Sequence, residues 1–359
     1  MSRRTAPLGI SSALDAPATP RATDDVRGPP VRLVEVARLA GVSTMTVSRA
    51  LRRPEQVAPL TLRAVQRAVA QLGYLPDSAA SAMATRRSRI IAAIVPTLMN
   101  SVYASTVHGL ASVLRGAGYE LMIGDSGYDL QTEAALVRSF LGRRVDALVL
   151  TGVEHDDATR ELLARHDLPV VEIWDLTSHP IGSVVGFSNV AAGREAGRYF
   201  AQCGRRHWAF LGTRPGREGR SGKRLRGLRE TARAAGVASP VTAFVEDGMS
   251  ASAGHAAVLA LLDAHPHTDA LFCANDALAT AALRAAADRG LAVPAALSIL
   301  GFGDFDVAAH TSPALTTVRI PGREIGASAA RVLLAQLDGD GLGPIHMDLG
   351  FEIVQRESA

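Results

Sequence analysis

From Arg89 onward, short apolar segments alternate with segments of helix length. Each apolar segment is rich in valine, isoleucine and leucine and ends at a glycine, a proline or an aspartate, as in IIAAIVP, VDALVLTG and DALFCAND. Nearly continuous apolar strands that alternate with helices are typical of parallel sheets covered by helices on both faces. About 270 residues of this kind form two α/β lobes more readily than one. Ligands of such sheets bind beyond the carboxyl ends of the strands.

The amino-terminal quarter differs from this part in pattern and in charge. Residues 1–30 lack periodicity and are predicted to be a disordered arm, residues 31–76 carry helical patterns, and residues 77–88 suit a linker able to form a short helix. Residues 1–89 contain 14 arginines and 6 acidic residues, a net charge of +8, whereas the remainder carries −5. This asymmetry is typical of a polyanion-binding module on a separate sensor.

Several classes of protein do not fit the sequence. The two cysteines, Cys203 and Cys273, exclude a disulfide framework and a four-cysteine zinc site. The chain shows neither a signal-peptide pattern nor an apolar run near the roughly 18 residues of a membrane span, so we expect a soluble, cytoplasmic protein. HExxH, GxSxG and GxGxxG are absent, and GRSGK departs from the spacing of a phosphate-binding loop. We therefore predict no enzyme, no catalytic residue, no metal and no cofactor.

The segment VRLVEVARLAGVSTMTVSRALRR has the spacing of two helices joined by a tight turn. Gly41 supplies the backbone freedom of the turn, and Ser43 is a suitable N-cap for the second helix. In that helix Val47 and Ala50 point inward, and a third helix is predicted from about Thr61 to Leu72. A helix in the major groove reads base edges mainly from its amino-terminal part. The outward residues predicted to contact DNA are Thr44, Met45, Thr46, Ser48, Arg49 and Arg52. From the pattern alone, an ordinary helical hairpin with a solvated face remains an alternative.

These motifs resemble the LacI/GalR family of bacterial transcription regulators. The resemblance rests on EVARLAGVSTMTVSRAL, RPEQVAP and LGYLPDSAA, and then on RIIAAIVP, RRVDALVL, FCANDALA, LSILGFGDFD and PALTTVRIP. It implies an α plus α/β fold: a three-helix helix-turn-helix head on residues 31–76, and a periplasmic-binding-protein-like sensor of two parallel-sheet lobes. The near lobe is expected at 89–187 and 318–345, and the far lobe at 188–317 and 346–359.

The resemblance also implies how DNA is bound. Thr44, Met45 and Arg49 match the family positions that read the operator, and a homodimer would place two heads on a near-palindromic double-stranded site. The family wedges a hinge leucine into the minor groove, and Met83 stands at the matching position. An unbranched thioether can still wedge between bases, although an ordinary linker residue is the alternative. Because no heptad run follows the last sensor strand, we expect a dimer rather than a coiled-coil tetramer.

The segment GTRPGREGRSGKRLRGL is the clearest ligand-binding signal. Guanidinium groups at a strand end suit a carboxylate or a phosphate, although a solvated basic loop is the better interpretation for most of these arginines. Arg224 stands three residues before Gly227, which resembles the family's ligand-contacting arginine. The other ligand contacts implied by the resemblance are Asn100, Val102 and Tyr103 on the near lobe and Asn275 and Asp304 on the far lobe. For Asn275, a helix cap is the alternative role.

The segment PVVEIWDLTSHPIGSVVGFSN, together with RPEQV and DLGFEIV, resembles the gluconate-repressor branch of the family. It implies that the rear of the cleft is lined by Glu172, Trp174, Asp175 and Phe187, with core or hinge packing as the alternative for the two aromatic residues. The implied effector is gluconate, a ketogluconate or a related sugar acid. Arg224 would clamp its carboxylate, and Asn275, Asp304 and Glu172 would contact its hydroxyls.

The resulting hypothesis is a repressor whose operator affinity is controlled by a small sugar acid, with relief of repression as the expected sign. A neutral sugar, a phosphorylated sugar or a purine is the alternative effector. A two-lobed solute-binding protein is the alternative of another class, and the basic head argues against it.

Overall fold

The computed structural model describes residues 31–75, 87–99, 101–214, 219–246, 250–339 and 343–359. The chain divides into two compact units, Met1–Ser78 and Ala79–Ala359. The predicted arm and most of the predicted linker, including Met83, lie outside the described residues, and so does Asn100. The predicted fold class is confirmed, because helix-turn-helix helices precede two lobes that are built on largely parallel sheets.

The first unit contains a compact set of helices around a small core. Its elements are α1 (Leu33–Ala40), α2 (Thr44–Arg52), a 3-10 turn (Pro54–Gln56) and α3 (Pro59–Leu72). The third helix begins two residues earlier than predicted, since Pro59 occupies its first position. Proline is favourable there because it has no N–H group to leave unsatisfied. Val36, Val47 and Val65, one from each helix, are fully buried together.

The second unit alternates strands and helices along its whole length. Its described strands are β1 (Ile90–Val95), β2 (Glu120–Asp125), β3 (Ala147–Thr151), β4 (Val170–Ile173), β5 (Ser183–Gly186), β6 (Trp208–Thr213), β7 (Val241–Val245), β8 (Ala270–Cys273), β9 (Ser298–Gly303), β10 (Thr316–Arg319), β11 (His346–Asp348) and β12 (Glu352–Val354). Its described α-helices are α4 (Ser101–Gly116), α5 (Leu130–Gly142), α6 (Asp157–Ala164), α7 (Asn189–Gln202), α8 (Gly219–Ala234), α9 (Ala251–Ala264), α10 (Asp276–Asp288) and α11 (Gly322–Asp338).

The strands form one sheet in each lobe. The near-lobe sheet has the order β11-β5-β4-β3-β1-β2, and all its neighbouring strands are parallel. The far-lobe sheet has the order β12-β10-β9-β8-β6-β7, and only the β10–β12 pair is antiparallel among the described strands. Central strands β1, β3, β6, β8 and β9 are almost entirely buried, as expected for sheets covered on both faces.

Helices of the two sequence-distant parts of the near lobe pack closely. A Cβ atom on Gly109 of α4 would overlap the carbonyl oxygen of Arg323, and one on Gly326 of α11 would overlap that of Thr106. Glycine at these two positions therefore lets the backbones of α4 and α11 approach each other directly. This contact joins the carboxyl-terminal helix to the lobe that begins the sensor.

The lobe boundaries predicted near the carboxyl terminus are wrong by a few residues. Residues 318–319 were assigned to the near lobe, but β10 runs to Arg319 in the far-lobe sheet. Residues 346–348 were assigned to the far lobe, but β11 pairs with β5 in the near-lobe sheet. The chain returns to the far lobe between β11 and β12, where Gly350 has a φ of 66°. Which sheet a three-residue strand joins depends on its distant partner, so local pattern does not reveal it.

Candidate DNA-binding face and ligand cleft

The second helix of the first unit presents a continuous outward face. Gly41 adopts a φ of 68° and ends α1, and the Ser43 hydroxyl accepts a hydrogen bond from the backbone N–H of Thr46 at 3.1 Å. The cap fixes where α2 begins, and its buried residues Val47 and Ala50 fix which face is turned inward. Of the residues predicted to contact DNA, the exposed ones are Thr44, Met45, Arg49 and Arg52, and the half-buried ones are Thr46 and Ser48.

This outward face belongs to a strongly basic unit. Residues 31–75 contain seven arginines and two glutamates. All seven arginines are exposed: Arg32, Arg38, Arg49, Arg52, Arg53, Arg63 and Arg67. The exposed guanidinium groups suit contacts with DNA phosphates. The helix between them presents short polar side chains and a methionine, which can reach base edges.

In the second unit, a small cavity that is partly open to solvent lies between the lobes. It is placed beyond the carboxyl ends of strands, since Trp174 follows β4, Ala274 and Asn275 follow β8, and Gly303 ends β9. The residues that line it are Tyr103, Tyr128 and Trp174 from the near lobe and Arg220, Arg224, Ala274, Asn275, Phe302, Gly303 and Phe305 from the far lobe.

Arg224 is held rigidly in this cavity. It is buried, and its guanidinium donates to the Asn189 Oδ1 at 2.6 Å and to the Ala274 carbonyl oxygen at 3.2 Å. The same group lies 4.1 Å from the centre of the Phe302 ring. Two hydrogen bonds and a stacking contact keep the planar cation in one orientation, which preorganises it for a planar anion.

Asn275 combines the two roles that the sequence left open. It is the N-cap of α10, where its Oδ1 accepts from the backbone N–H of Leu278 at 2.9 Å, and it also lines the cavity. The neighbouring Asp276 is buried and accepts from the backbone N–H of Phe305 and from the Thr317 hydroxyl, both at 2.6 Å. Burial raises the pKa of Asp276 to about 6. Together these contacts fix the loop that brings Phe305 to the cavity.

Aromatic side chains form the near-lobe wall and connect it with the far lobe. Trp174 lies 5.0 Å from Tyr103 and 5.9 Å from Phe187 between ring centres, and its Nε1 donates to the Thr106 hydroxyl at 3.1 Å. Phe187 is fully buried, lies 6.0 Å from Phe302 and does not line the cavity. Trp174 therefore faces the cavity, whereas Phe187 has the hinge-packing role that was its alternative.

Two predicted ligand contacts, Glu172 and Asp304, lie elsewhere. Glu172 is inside β4, where its Oε2 accepts from the backbone N–H of Ile181 at 2.7 Å and its Oε1 lies 3.3 Å from the His155 Nε2. Asp304 has a φ of 52°, and its carboxylate binds Arg319 and Arg356, each at 2.7 Å. Neither carboxylate lines the cavity, and each contacts groups of its own lobe.

The remaining predicted positions are divided between the cavity and its surroundings. Tyr103 lines the cavity, and Val102 falls within α4, where its side chain is not described. Asp175 lines a second, adjoining cavity and receives a hydrogen bond from Lys223 Nζ at 2.6 Å. Arg220 and Tyr128 line both cavities.

Sequence reasoning missed the role of Arg220. It is buried and lies 5.7 Å from the centre of the Tyr103 ring, although a solvated loop was the preferred interpretation for it. Arg220 and Arg224 are four residues apart on α8, a spacing that puts both on one helical face. That spacing was the signal that could have placed Arg220 beside Arg224.

Comparison with known proteins identifies the two units. Residues 32–77 match the family described as bacterial regulatory proteins, lacI family, and residues 198–359 match the periplasmic binding protein-like domain. The HTH-type transcriptional regulator GntR of Pseudomonas aeruginosa is 36% identical over 91% of this chain and 95% of its own length. GntR of Escherichia coli K12 is 34% identical over 89% of this chain and 96% of its own length.

Solved structures agree with these matches. A LacI-family transcriptional regulator from Silicibacter pomeroyi has a TM-score of 0.85 and 29% identity, and the match covers 92% of this chain and 99% of that one. The transcription regulator GntR from Chromobacterium violaceum has a TM-score of 0.71 and 37% identity, over 75% of this chain and 98% of that one. None of the helices in the described ranges is long and apolar enough to cross a membrane.

The curated relatives are transcriptional regulators and not enzymes, as the sequence predicted for this chain. With a helix-turn-helix unit, a two-lobed unit around a cavity, and relatives above 30% identity along nearly its whole length, this chain belongs to the LacI family of bacterial regulatory proteins and is a DNA-binding transcriptional regulator.

Proposed function

We propose that this regulator is a homodimeric repressor whose operator affinity is lowered by a sugar acid, gluconate or a ketogluconate. One observation carries the choice of effector: the described residues that line the interlobe cavity include two arginines and no carboxylate. Such a cavity favours a carboxylate over a neutral sugar, since the planar, forked guanidinium group matches the geometry of a carboxylate. The similarity to regulators named GntR, and of PVVEIWDLTSHPIGSVVGFSN to the gluconate-repressor branch, supports the same class.

The cavity also offers partners for the rest of such a molecule. A planar carboxylate suits the oriented guanidinium of Arg224, which is 4% exposed. The polyol chain would then lie against Tyr103 and Trp174, at the part of the cavity that Asn275 and Tyr128 also line. Glu172 and Asp304 do not contact the hydroxyl groups of the ligand in this proposal, because Glu172 accepts a hydrogen bond from Ile181 and Asp304 binds two arginines.

Calorimetry of the full chain with six compounds tests the effector. We expect gluconate, 2-ketogluconate or 5-ketogluconate to bind, and glucose, glucose 6-phosphate and hypoxanthine to bind at least tenfold more weakly or not at all. A neutral sugar is the alternative effector, because CelR of Thermobifida fusca is 31% identical to this chain, and a solved CelR–cellobiose complex is 30% identical with a TM-score of 0.66. Binding confined to neutral sugars or to purines would overturn the proposal.

Arg224→Lys tests the clamp. Lysine keeps the charge but lacks the forked geometry that bonds Asn189 and Ala274, so we expect gluconate affinity to fall about 10- to 100-fold, equivalent to roughly 1.4–2.8 kcal/mol. Arg226→Lys is the matched control, since Arg226 is an exposed residue on the same helix and should leave the affinity unchanged. Equal affinities for wild type and both variants, all folded by circular dichroism, would contradict the clamp.

A further inference from the structure

The first turns of α8 contact the near lobe through charge. Lys223 Nζ lies 2.6 Å from the Asp175 Oδ2 and 3.6 Å from the Glu154 Oε1. Lys223 belongs to the far lobe, whereas Glu154 follows β3 and Asp175 follows β4 of the near lobe. The two ion pairs therefore cross the cleft, and neither depends on a ligand.

Burial distinguishes the Asp175–Lys223 pair from the surface ion pairs of this chain. The Asp175 side chain is 3% exposed and that of Lys223 is 21% exposed, whereas the within-helix pair of Arg198 and Glu195 is about half exposed. Exposed pairs contribute little to stability, but removing one member of a buried pair leaves the other charge desolvated. This contact brings a buried carboxylate of the near lobe and a cation of the far lobe together.

A second contact on the same side of the cleft adds to the first. The Glu154 carboxylate lies so close to Gly219, the first residue of α8, that a Cβ atom at Gly219 would overlap it. A carboxylate beside a helix amino terminus is favourable because the helix dipole is positive there. Two near-lobe carboxylates therefore meet one end of one far-lobe helix.

We propose that Asp175, Glu154 and Lys223 form an interlobe latch that holds the sensor closed and sets its open–closed equilibrium. Lys223 does not line the cavity around Arg224, so the latch acts on lobe closure and not as a contact of the ligand proposed for that cavity. A ligand that needs the closed form binds with an apparent affinity reduced by the fraction of closed molecules. The latch thereby regulates how strongly the effector is bound, and only this consequence rests on the proposed function.

The conformational test needs no ligand. The chain has two tryptophans, of which Trp174 is at the cleft and Trp208 is in the far-lobe core. In a Trp208→Phe background, Lys223→Gln should increase acrylamide quenching of Trp174 at least twofold, because open lobes expose its indole to water. Arg229→Gln is the matched control, since it removes the same charge from an exposed position of α8 and should not alter quenching.

Asp175→Asn provides an independent variant that removes the other charge without changing side-chain shape. We expect the same increase in quenching, and the double variant should show no further increase, because the two residues act through one contact. Unchanged quenching in both folded single variants would overturn the latch. The double variant also remains informative if one single variant fails to fold, since it removes both charges of the buried Asp175–Lys223 pair together.

Gluconate titration then separates the latch from the proposed effector. Lys223→Gln should weaken gluconate binding about tenfold, and Arg229→Gln should leave it unchanged. If wild type binds no gluconate while Lys223→Gln still exposes Trp174, the latch stands and the proposed effector fails. If gluconate binds wild type and Lys223→Gln equally and quenching is the same, the latch fails and the effector stands.

Discussion

His155 lies between two carboxylates in the interior of the near lobe. Its Nδ1 is 2.6 Å from the Glu133 Oε1, and its Nε2 is 3.3 Å from the Glu172 Oε1. Burial alone lowers the pKa of His155, but hydrogen bonds and charge interactions with the two glutamates outweigh it and raise the pKa to about 9. An imidazolium at neutral pH explains how two carboxylates remain buried side by side.

The pKa of His155 predicts how stability depends on pH. Because its folded pKa of about 9 exceeds the ordinary value of 6.5, the stabilisation is fully present below pH 6.5 and is lost as the pH rises through 9. The shift corresponds to ~3 kcal/mol. The free energy of unfolding of the sensor, measured in urea, should therefore decrease between pH 6.5 and 9.5 by more in wild type than in His155→Gln. His166→Gln, at an exposed histidine, should follow wild type, and parallel curves for wild type and His155→Gln would refute this origin.

At the scale of single residues, the sequence placed a side chain at the cavity correctly where a short motif identified it. It failed where a partner distant in sequence determines the position of the side chain. Arg224, which resembles the family's ligand-contacting arginine, and Asn275, which matches a polar position of the family's cleft, both line the cavity, and their contact with a ligand stays a prediction. Glu172 and Asp304 were misplaced because the sequence does not show that His155 and Arg356 take their carboxylates. A carboxylate near a cleft pairs with a nearby cationic side chain. The sequence pattern did not identify His155 or Arg356 as that partner.

At the scale of elements, the turn between α1 and α2 has the most demanding backbone of the first unit. Gly41 has a φ of 68°, and its N–H donates to the last carbonyl groups of α1. An alanine would have free space there but an unfavourable backbone, at a cost of about 1–2 kcal/mol. In Gly41→Ala we expect amide hydrogen exchange in α1 and α2 to become roughly 5- to 30-fold faster and operator affinity to fall.

The matched control for that change is Gly116→Ala. Gly116 also has open space for a Cβ atom, but its φ is not positive, so alanine there should be neutral or slightly stabilising. If amide hydrogen exchange in α1 and α2 is as slow in Gly41→Ala as in wild type, the backbone of this turn does not determine the stability of α2.

Elements were predictable to the extent that their signals are local. The glycine and the serine at the α1–α2 turn define the ends of both helices, and β1, β3 and β8 were visible as apolar runs. The short strand β11 was not assigned to the correct sheet, since three residues contain too little pattern to choose between two sheets.

At the scale of the whole molecule, the DNA-reading helix and the ligand cavity belong to different compact units. The sequence predicted both units, because each is built from periodic segments, and their charge difference pointed to different partners. It did not predict the interlobe contacts of Lys223, since such contacts join segments that are 48 and 69 residues apart in sequence. The proposed latch therefore rests on contacts that local sequence pattern describes least.

Linkage between the two units gives the last prediction. If gluconate lowers operator affinity by some factor, operator DNA must lower gluconate affinity by the same factor, and typical couplings are about 5- to 150-fold. Calorimetric titration of the full chain with gluconate, at fixed salt, should therefore show weaker binding with a saturating operator duplex than with a scrambled duplex of equal length. Equal gluconate affinities with both duplexes would mean that gluconate fills the cavity without acting on the head. Lys223→Gln should reduce gluconate affinity with either duplex, because the latch acts on closure of the lobes whichever DNA is present.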